Sequence, residues 1–227
     1  VKLSPEKIAY RETIKKSVQA EGKHKKQSGG HGQYGHVKIE FGPGEAEGLT
    51  FSETIFGGSV PKNFHPAVEK GLLEAMEKGV LAGFPVVNLK ANLYDGSYHA
   101  VDSDEVSFRT AASIAYKKCL EMAAPVLLEP VGDMDITVPE ALVGDVMGDI
   151  NKRRGRVMGM NPVGNGNTEI VADIPNLELY GYNTQLRSMT SGSGTFSYEF
   201  ARYEQAPEDV AKKQIEERAS ELVDIEE

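Results

Sequence analysis

The order of periodicities between Leu127 and Gln205 constrains the fold of this chain more than any other feature. Leu127–Val138 is rich in apolar and β-branched residues and reads as a strand. Pro139 can open a helix over 139–154, with Leu142, Val143, Val146, Met147 and Ile150 on one face. Gly155–Asn161 reads as a strand, PVGNGN (162–167) as a tight turn, and Thr168–Pro175 as a second strand. A helix over Leu179–Met189 and an alternating strand over Thr195–Gln205 complete the run. The resulting order, β-α-β-β-α-β, predicts a ferredoxin-like domain with both helices on one face of its sheet. A last helix starts at Pro207, with Glu208 and Asp209 in its first turn, where they suit the helix dipole.

The first half has another pattern. Strands are expected at residues 8–14, 17–25, His36–Phe41, Leu49–Ile55 and Phe84–Tyr94. Pro61 or Pro66 can open a helix that places Val68, Leu72, Leu73, Ala75 and Met76 on one face, and Gly79 can stop it. A second helix is expected from a cap at Asp102 or Ser103 to about Ala123. QSGGHGQYG (27–35) and DGSYHAVDSDE (95–105) read as exposed loops. With Pro125 as a boundary, the expectation is an α+β chain of two domains, 1–124 and 125–207, followed by an acidic C-terminal helix, 208–227. The first residue is Val1, so the chain is expected to be a piece of a longer protein. A lone cysteine, Cys119, and no secretory leader point to a cytoplasmic home.

The formal charge of -9 taken alone argues against nucleic acid. It is unevenly distributed: residues 1–124 carry a net +1 and residues 125–227 a net -10. Gly22–Ile39 contains no acidic residue, yet holds Lys23, Lys25, Lys26, Lys38 and three of the five histidines. Such a stretch is either a solvated basic loop or a phosphate-facing one. Its Gly30-His31-Gly32-Gln33-Tyr34-Gly35 matches the dinucleotide fingerprint. That motif needs a strand before it and a helix after it, whereas here polar KKQS precedes and HVKIEF follows. Glycines that allow close backbone approach, an amide at Gln33, a ring at Tyr34 and lysines at the base suit irregular RNA better. His24, His31 and His36 lack a zinc-ligand spacing, and no metal is expected. No phosphate-binding loop, nucleophile elbow or HExxH motif occurs, so the chain itself is not expected to be an enzyme. The run Asn151-Lys152-Arg153-Arg154-Gly155-Arg156, at a helix C-terminus, either complements the dipole or contacts phosphate.

Long segments of the chain resemble the last two domains of bacterial elongation factor G. They are KKQSGGHGQYGHVKIEF, GFPVVNLKANLYDGSYHAVDSDEVSF, LLEPV followed by VGDVMGDINKRRGRVMGM, and YGYNTQLRSMTSG. The resemblance runs in order from about Ile8 to Pro207. It implies that residues 1–124 form a domain IV, a ribosomal-protein-like α/β fold with a left-handed βαβ crossover, and that 125–207 form a domain V. It implies a GTPase parent that drives tRNA–mRNA translocation, with GTP and Mg held by an N-terminal domain outside this chain. A tip of two loops, Gln27, Ser28, Gly29, Gly30, His31, Gly32, Gln33 and Tyr34 with Asp95, Gly96, Ser97, Tyr98 and His99, is expected to meet tRNA–mRNA and small-subunit RNA. Lys23, Lys25 and Lys26 would support it, and Lys152, Arg153, Arg154 and Arg187 would lie toward large-subunit RNA. The implied partner is the ribosome, with no DNA and no membrane, and the fragment is expected to be monomeric. The family's tip commonly carries arginine where His31 stands, and Gly192-Ser193-Gly194 also omits a common arginine. These departures suit a divergent translocase or a paralogue for ribosome recycling; a ribosomal-protection factor shares the architecture but differs at the tip loops.

Overall fold

The computed structural model describes residues 7–226, with side chains to residue 220. Two compact units appear, and the chain passes between them at Tyr10–Arg11, inside one strand at Leu127–Leu128, and at Gln205–Ala206.

One unit is built on Arg11–Leu127 together with the segment from Ala206. After β1 (Arg11–Ile14), its sheet is formed by β2 (Val18–Lys26), β3 (Gln33–Pro43), β4 (Leu49–Glu53) and β5 (Leu89–Ser97) in the order β2-β3-β5-β4. β2 and β3 pair antiparallel, as do β3 and β5, while β4 runs parallel to β5. Parallel neighbours need a crossover, and α1 (His65–Ala75) supplies it, with Pro66 in its first turn. α2 (Glu105–Met122) lies against the sheet. Its buried face, Phe108, Ala111, Ala112, Ala115, Tyr116 and Cys119, meets Val37, Ile39, Phe41, Leu89, Ala91 and Leu93 in one core. The small alanines let the helix approach closely. At Gly22 a Cβ would stand 1.9 Å from the Ala111 carbonyl oxygen, so this contact requires glycine.

The buried carboxylate of Glu12 organises the loop after α1. It accepts backbone N–H bonds from Leu81 (2.8 Å), Ala82 (3.2 Å) and Phe84 (2.8 Å). The C-terminal helix α5 (Glu208–Glu226) groups with this unit, and the Arg218 guanidinium sits 5.4 Å from the Phe84 ring centroid.

The other unit contains most of β6 (Pro125–Pro139), α3 (Val143–Lys152), β7 (Arg156–Gly164), β8 (Asn167–Pro175), α4 (Tyr182–Thr190) and β9 (Thr195–Gln205). Antiparallel pairing gives the strand order β9-β6-β8-β7. That is the order of a split βαβ unit, as the periodicities required. Val146 and Ile150 of α3 and Tyr182 and Leu186 of α4 close a core over Met134, Ile136, Val138, Ile170, Ala172 and Ile174. The fold class is therefore α+β in two units.

Several boundaries differ from the sequence expectation. Gln33, Tyr34 and Gly35 belong to β3 and not to the glycine loop, because they continue the β2 ladder through Lys26↔Gln33. Asp95, Gly96 and Ser97 likewise extend β5, pairing with Lys38, Val37 and His36. β5 starts at Leu89, after a left-handed Asn88 (φ 55°), and not at Phe84. The cap of α2 is Asp104, whose side chain accepts the Ser107 N–H at 2.7 Å. The β7–β8 turn is only Asn165-Gly166, both at positive φ (52° and 74°), the pattern of a type I′ hairpin. Gly181 (φ 74°) separates a short 3-10 turn, Asn176–Leu179, from α4, so no single helix runs over 179–189.

Candidate nucleic-acid interface

Antiparallel β2 and β3 must be joined by a hairpin, and residues 27–32 form it. Gly29 (φ 39°) and Gly30 (φ 138°) carry the backbone through regions that side chains disfavour, and the space around both is open. Gln27, Ser28, Gly29, Gly30 and His31 are exposed, as are Lys23, Lys25 and Lys26 on the adjoining strand. The β5–α2 connection, 98–104, emerges beside this hairpin because β5 pairs with β3.

Hydrogen bonds tie the two segments together. Asp102 accepts the Gly32 N–H through its carboxylate (3.2 Å) and the Tyr34 N–H through its carbonyl (2.9 Å). The Ser103 hydroxyl donates to the Tyr34 carbonyl (2.8 Å) and accepts the His99 N–H (2.9 Å). These bonds place the His99 ring on the Tyr34 ring, with centroids 3.6 Å apart and planes 7° from parallel. Tyr34 is buried while His99 is exposed, so the stack presents the imidazole outward. The Lys23 ammonium lies 5.6 Å from the Tyr34 centroid, within cation–π range. The Gln33 carboxamide oxygen is 2.8 Å from His24 Nε2. Asp95 sits below the tip, 3.8 Å from Lys38. The Gly96 N–H, joined by Ser59 and Lys38, holds its carboxyl below the ordinary aspartate value despite some desolvation.

The sequence-derived site residues thus separate into groups. Gln27–His31 and Tyr98–His99 form an exposed rim, with Gly32 and Gln33 half-buried and Tyr34 as its floor. Asp95, Gly96 and Ser97 are half-buried strand residues. In the other unit, Lys152 and Arg187 are exposed, but Arg153 and Arg154 are engaged internally. Arg153 bonds Asp149 (3.0 Å) and the Glu178 carbonyl (2.6 Å) and stacks over Tyr182. Arg154 holds the buried Glu129 carboxylate in a bidentate pair (2.8 and 3.0 Å) and reaches Glu178 at 3.0 Å. Sequence reasoning placed Arg156 in the basic run 151–156 but missed its partners Asp173 and Arg202. Asp173 joins both arginines, at 3.0 and 2.7 Å, and Glu204 joins them from the edge. Burial pushes the Asp173 carboxyl up, but the two guanidiniums outweigh it and hold it below the usual value. The registers Arg156↔Asp173 and Val131↔Arg202, with Val131↔Pro175 between them, bring these residues together, and no short motif marks them. Among the described residues no group of three or more His, Cys, Asp or Glu side chains is placed to hold a metal. Nor is any described helix long and apolar enough to cross a membrane.

Comparison with known proteins agrees with this architecture. The family model described as elongation factor G, domain IV, matches residues 6–124, and that of the elongation factor G C-terminus matches residues 126–214. The chain belongs to the elongation factor G family. An elongation factor G-like protein of Thermotoga maritima is 51% identical over 223 residues, covering 98% of this chain and 33% of that protein. A crystal structure of a Thermus thermophilus protein superposes with a TM-score of 0.88 at 44% identity, over 96% of this chain and 32% of that one. The chain therefore spans about a third of the length of these relatives. The β2–β3 hairpin and the loop bearing His99 lie in the domain IV match, and the Arg154 and Asp173 clusters in the C-terminal match.

Proposed function

We propose that this chain is the ribosome-binding C-terminal portion of a cytoplasmic translational GTPase that promotes tRNA–mRNA translocation. The tip of the first unit enters the decoding region, and the ferredoxin-like unit docks at the large-subunit factor site. GTP and Mg belong to an N-terminal domain of the parent. The observation that carries this reading is the Tyr34–His99 stack, which gathers two loops, distant in sequence, into one outward-facing rim. An exposed imidazole on a rigid ring offers a planar surface for an unstacked base or sugar edge. Flexible lysines beside it neutralise phosphate without reading sequence. The rim then favours the post-translocation state by differential contact free energy, the only way a ligand biases such an equilibrium.

The test is single-round translocation with the full-length factor carrying His99→Ala. A slowed rate with GTP turnover preserved is the expected result, and an unchanged rate overturns the tip role. A second reading is a paralogue that splits post-termination ribosomes with recycling factor. It is favoured by the neutral-capable His31 at a rim position that the family commonly fills with arginine. A ribosome-splitting assay in which this factor acts while its translocation rate stays low would select that reading.

A further inference from the structure

Ser97 carries a hydroxyl that is engaged twice. Its Oγ is 2.6 Å from the Tyr34 hydroxyl and 2.7 Å from His36 Nδ1. The other ring nitrogen of His36, Nε2, bonds the Glu21 carboxylate. The line Glu21–His36–Ser97–Tyr34 crosses three adjacent strands, β2, β3 and β5. The register sets it: His36 stands directly opposite Ser97, and Tyr34 lies two residues before His36, on the same face of β3.

The donor–acceptor inventory gives this line a direction. An ionised carboxylate only accepts, so His36 Nε2–H donates to Glu21. In the neutral imidazole Nδ1 then accepts, Ser97 donates to it, and the Ser97 oxygen accepts the Tyr34 O–H. In the protonated imidazole Nδ1–H donates to Ser97, whose second lone pair still accepts the Tyr34 O–H. The Tyr34 hydroxyl is held in either state. The far end of the line is the ring that His99 stacks on, at 3.6 Å.

We infer that Glu21, His36 and Ser97 are positioning residues, a hydrogen-bond relay that holds the Tyr34 ring as a platform and so sets the pose in which His99 meets RNA. The inference rests on the tip reading above. It reassigns Ser97 from contact with RNA to support of the contact.

Proton NMR of the 227-residue chain reads the relay directly, because the Tyr34 ring current shields the His99 ring protons. Ser97→Ala removes both bonds and is expected to move those protons downfield, toward an unstacked imidazole, with the remaining amide spectrum retained. Ser97→Thr restores the hydroxyl and is expected to restore the shielding. Should Ser97→Ala fail to fold, Tyr34→Phe keeps the ring, deletes its hydroxyl and is read in the same way. His99 protons left at their wild-type shifts in these hydroxyl-deleting variants would overturn the relay, as would a threonine that fails to rescue. Single-round translocation by full-length factor with Ser97→Ala or His99→Ala separates the two readings. Slowed translocation with His99→Ala but unchanged His99 shifts with Ser97→Ala removes the relay alone. Altered shifts with translocation untouched by either variant support the relay and remove the tip reading.

Discussion

Arg154→Ala is the substitution whose outcome the geometry constrains most tightly. Its guanidinium makes a bidentate pair with Glu129 and a third bond to Glu178. The Glu129 side chain is only 4% exposed and that of Arg154 30%. Removing the arginine leaves a buried carboxylate without its cation, a change that costs about 3–5 kcal/mol for a fully buried pair. Because Arg154 is partly solvated, water screens and replaces some of that interaction, and about 2–4 kcal/mol is expected. With a urea slope of about 1–1.5 kcal/mol/M for a unit this small, the midpoint should fall by roughly 1.3–4 M. The assay is urea unfolding followed by circular dichroism, with amide hydrogen exchange localising the loss to Leu128–Gln205. The double variant Arg154→Met with Glu129→Leu removes both charges and should recover most of the stability. A midpoint shift below about 0.3 M, or a double variant no better than the single, would refute the reasoning. An RNA contact at Arg154 would instead lower the salt slope of ribosome binding by about 1 without moving the midpoint.

Three further outcomes are expected. Asp173 has a depressed carboxyl pKa, so its contribution is present above the unfolded value of about 3.9 and is lost as pH falls through the lower folded value. Asp173→Asn should therefore destabilise at pH 7, with the gap to wild type closing in acid denaturation below about pH 3.9. Glu12→Ala orphans three backbone N–H groups around a buried position and should cost about 3 kcal/mol by urea unfolding, where a cost under ~0.5 kcal/mol would contradict the loop-organising role. Gly22→Ala drives a methyl into the Ala111 carbonyl and should cost at least about 3 kcal/mol, whereas Gly48→Ala, with open space around it, should be near neutral in thermal melts.

The sequence by itself determined the order of elements, the fold class and the loop character of segments 27–32 and 98–104. Each rests on local physics. Alternating and 3.6-residue apolar patterns specify strands and helices without knowledge of partners, and glycine runs specify turns. The acid-free stretch 22–39 was legible as a place where anions are welcome. Tertiary structure alone decided which polar residues face outward. Gln33–Gly35 and Asp95–Ser97 look like loop by composition, yet ladder pairing draws them into strands, because strand length is set by the neighbouring strand. Lys152, Arg153 and Arg154 look alike in sequence; a helix turn places one in solvent and the other two against Asp149, Glu178 and Glu129. Asp173 acquires Arg156 and Arg202 only through strand register. The Tyr34–His99 stack joins residues far apart in the chain, and no local pattern encodes the contact. Long-range contacts of this kind depend on how elements pack, and packing is a property of the assembled core.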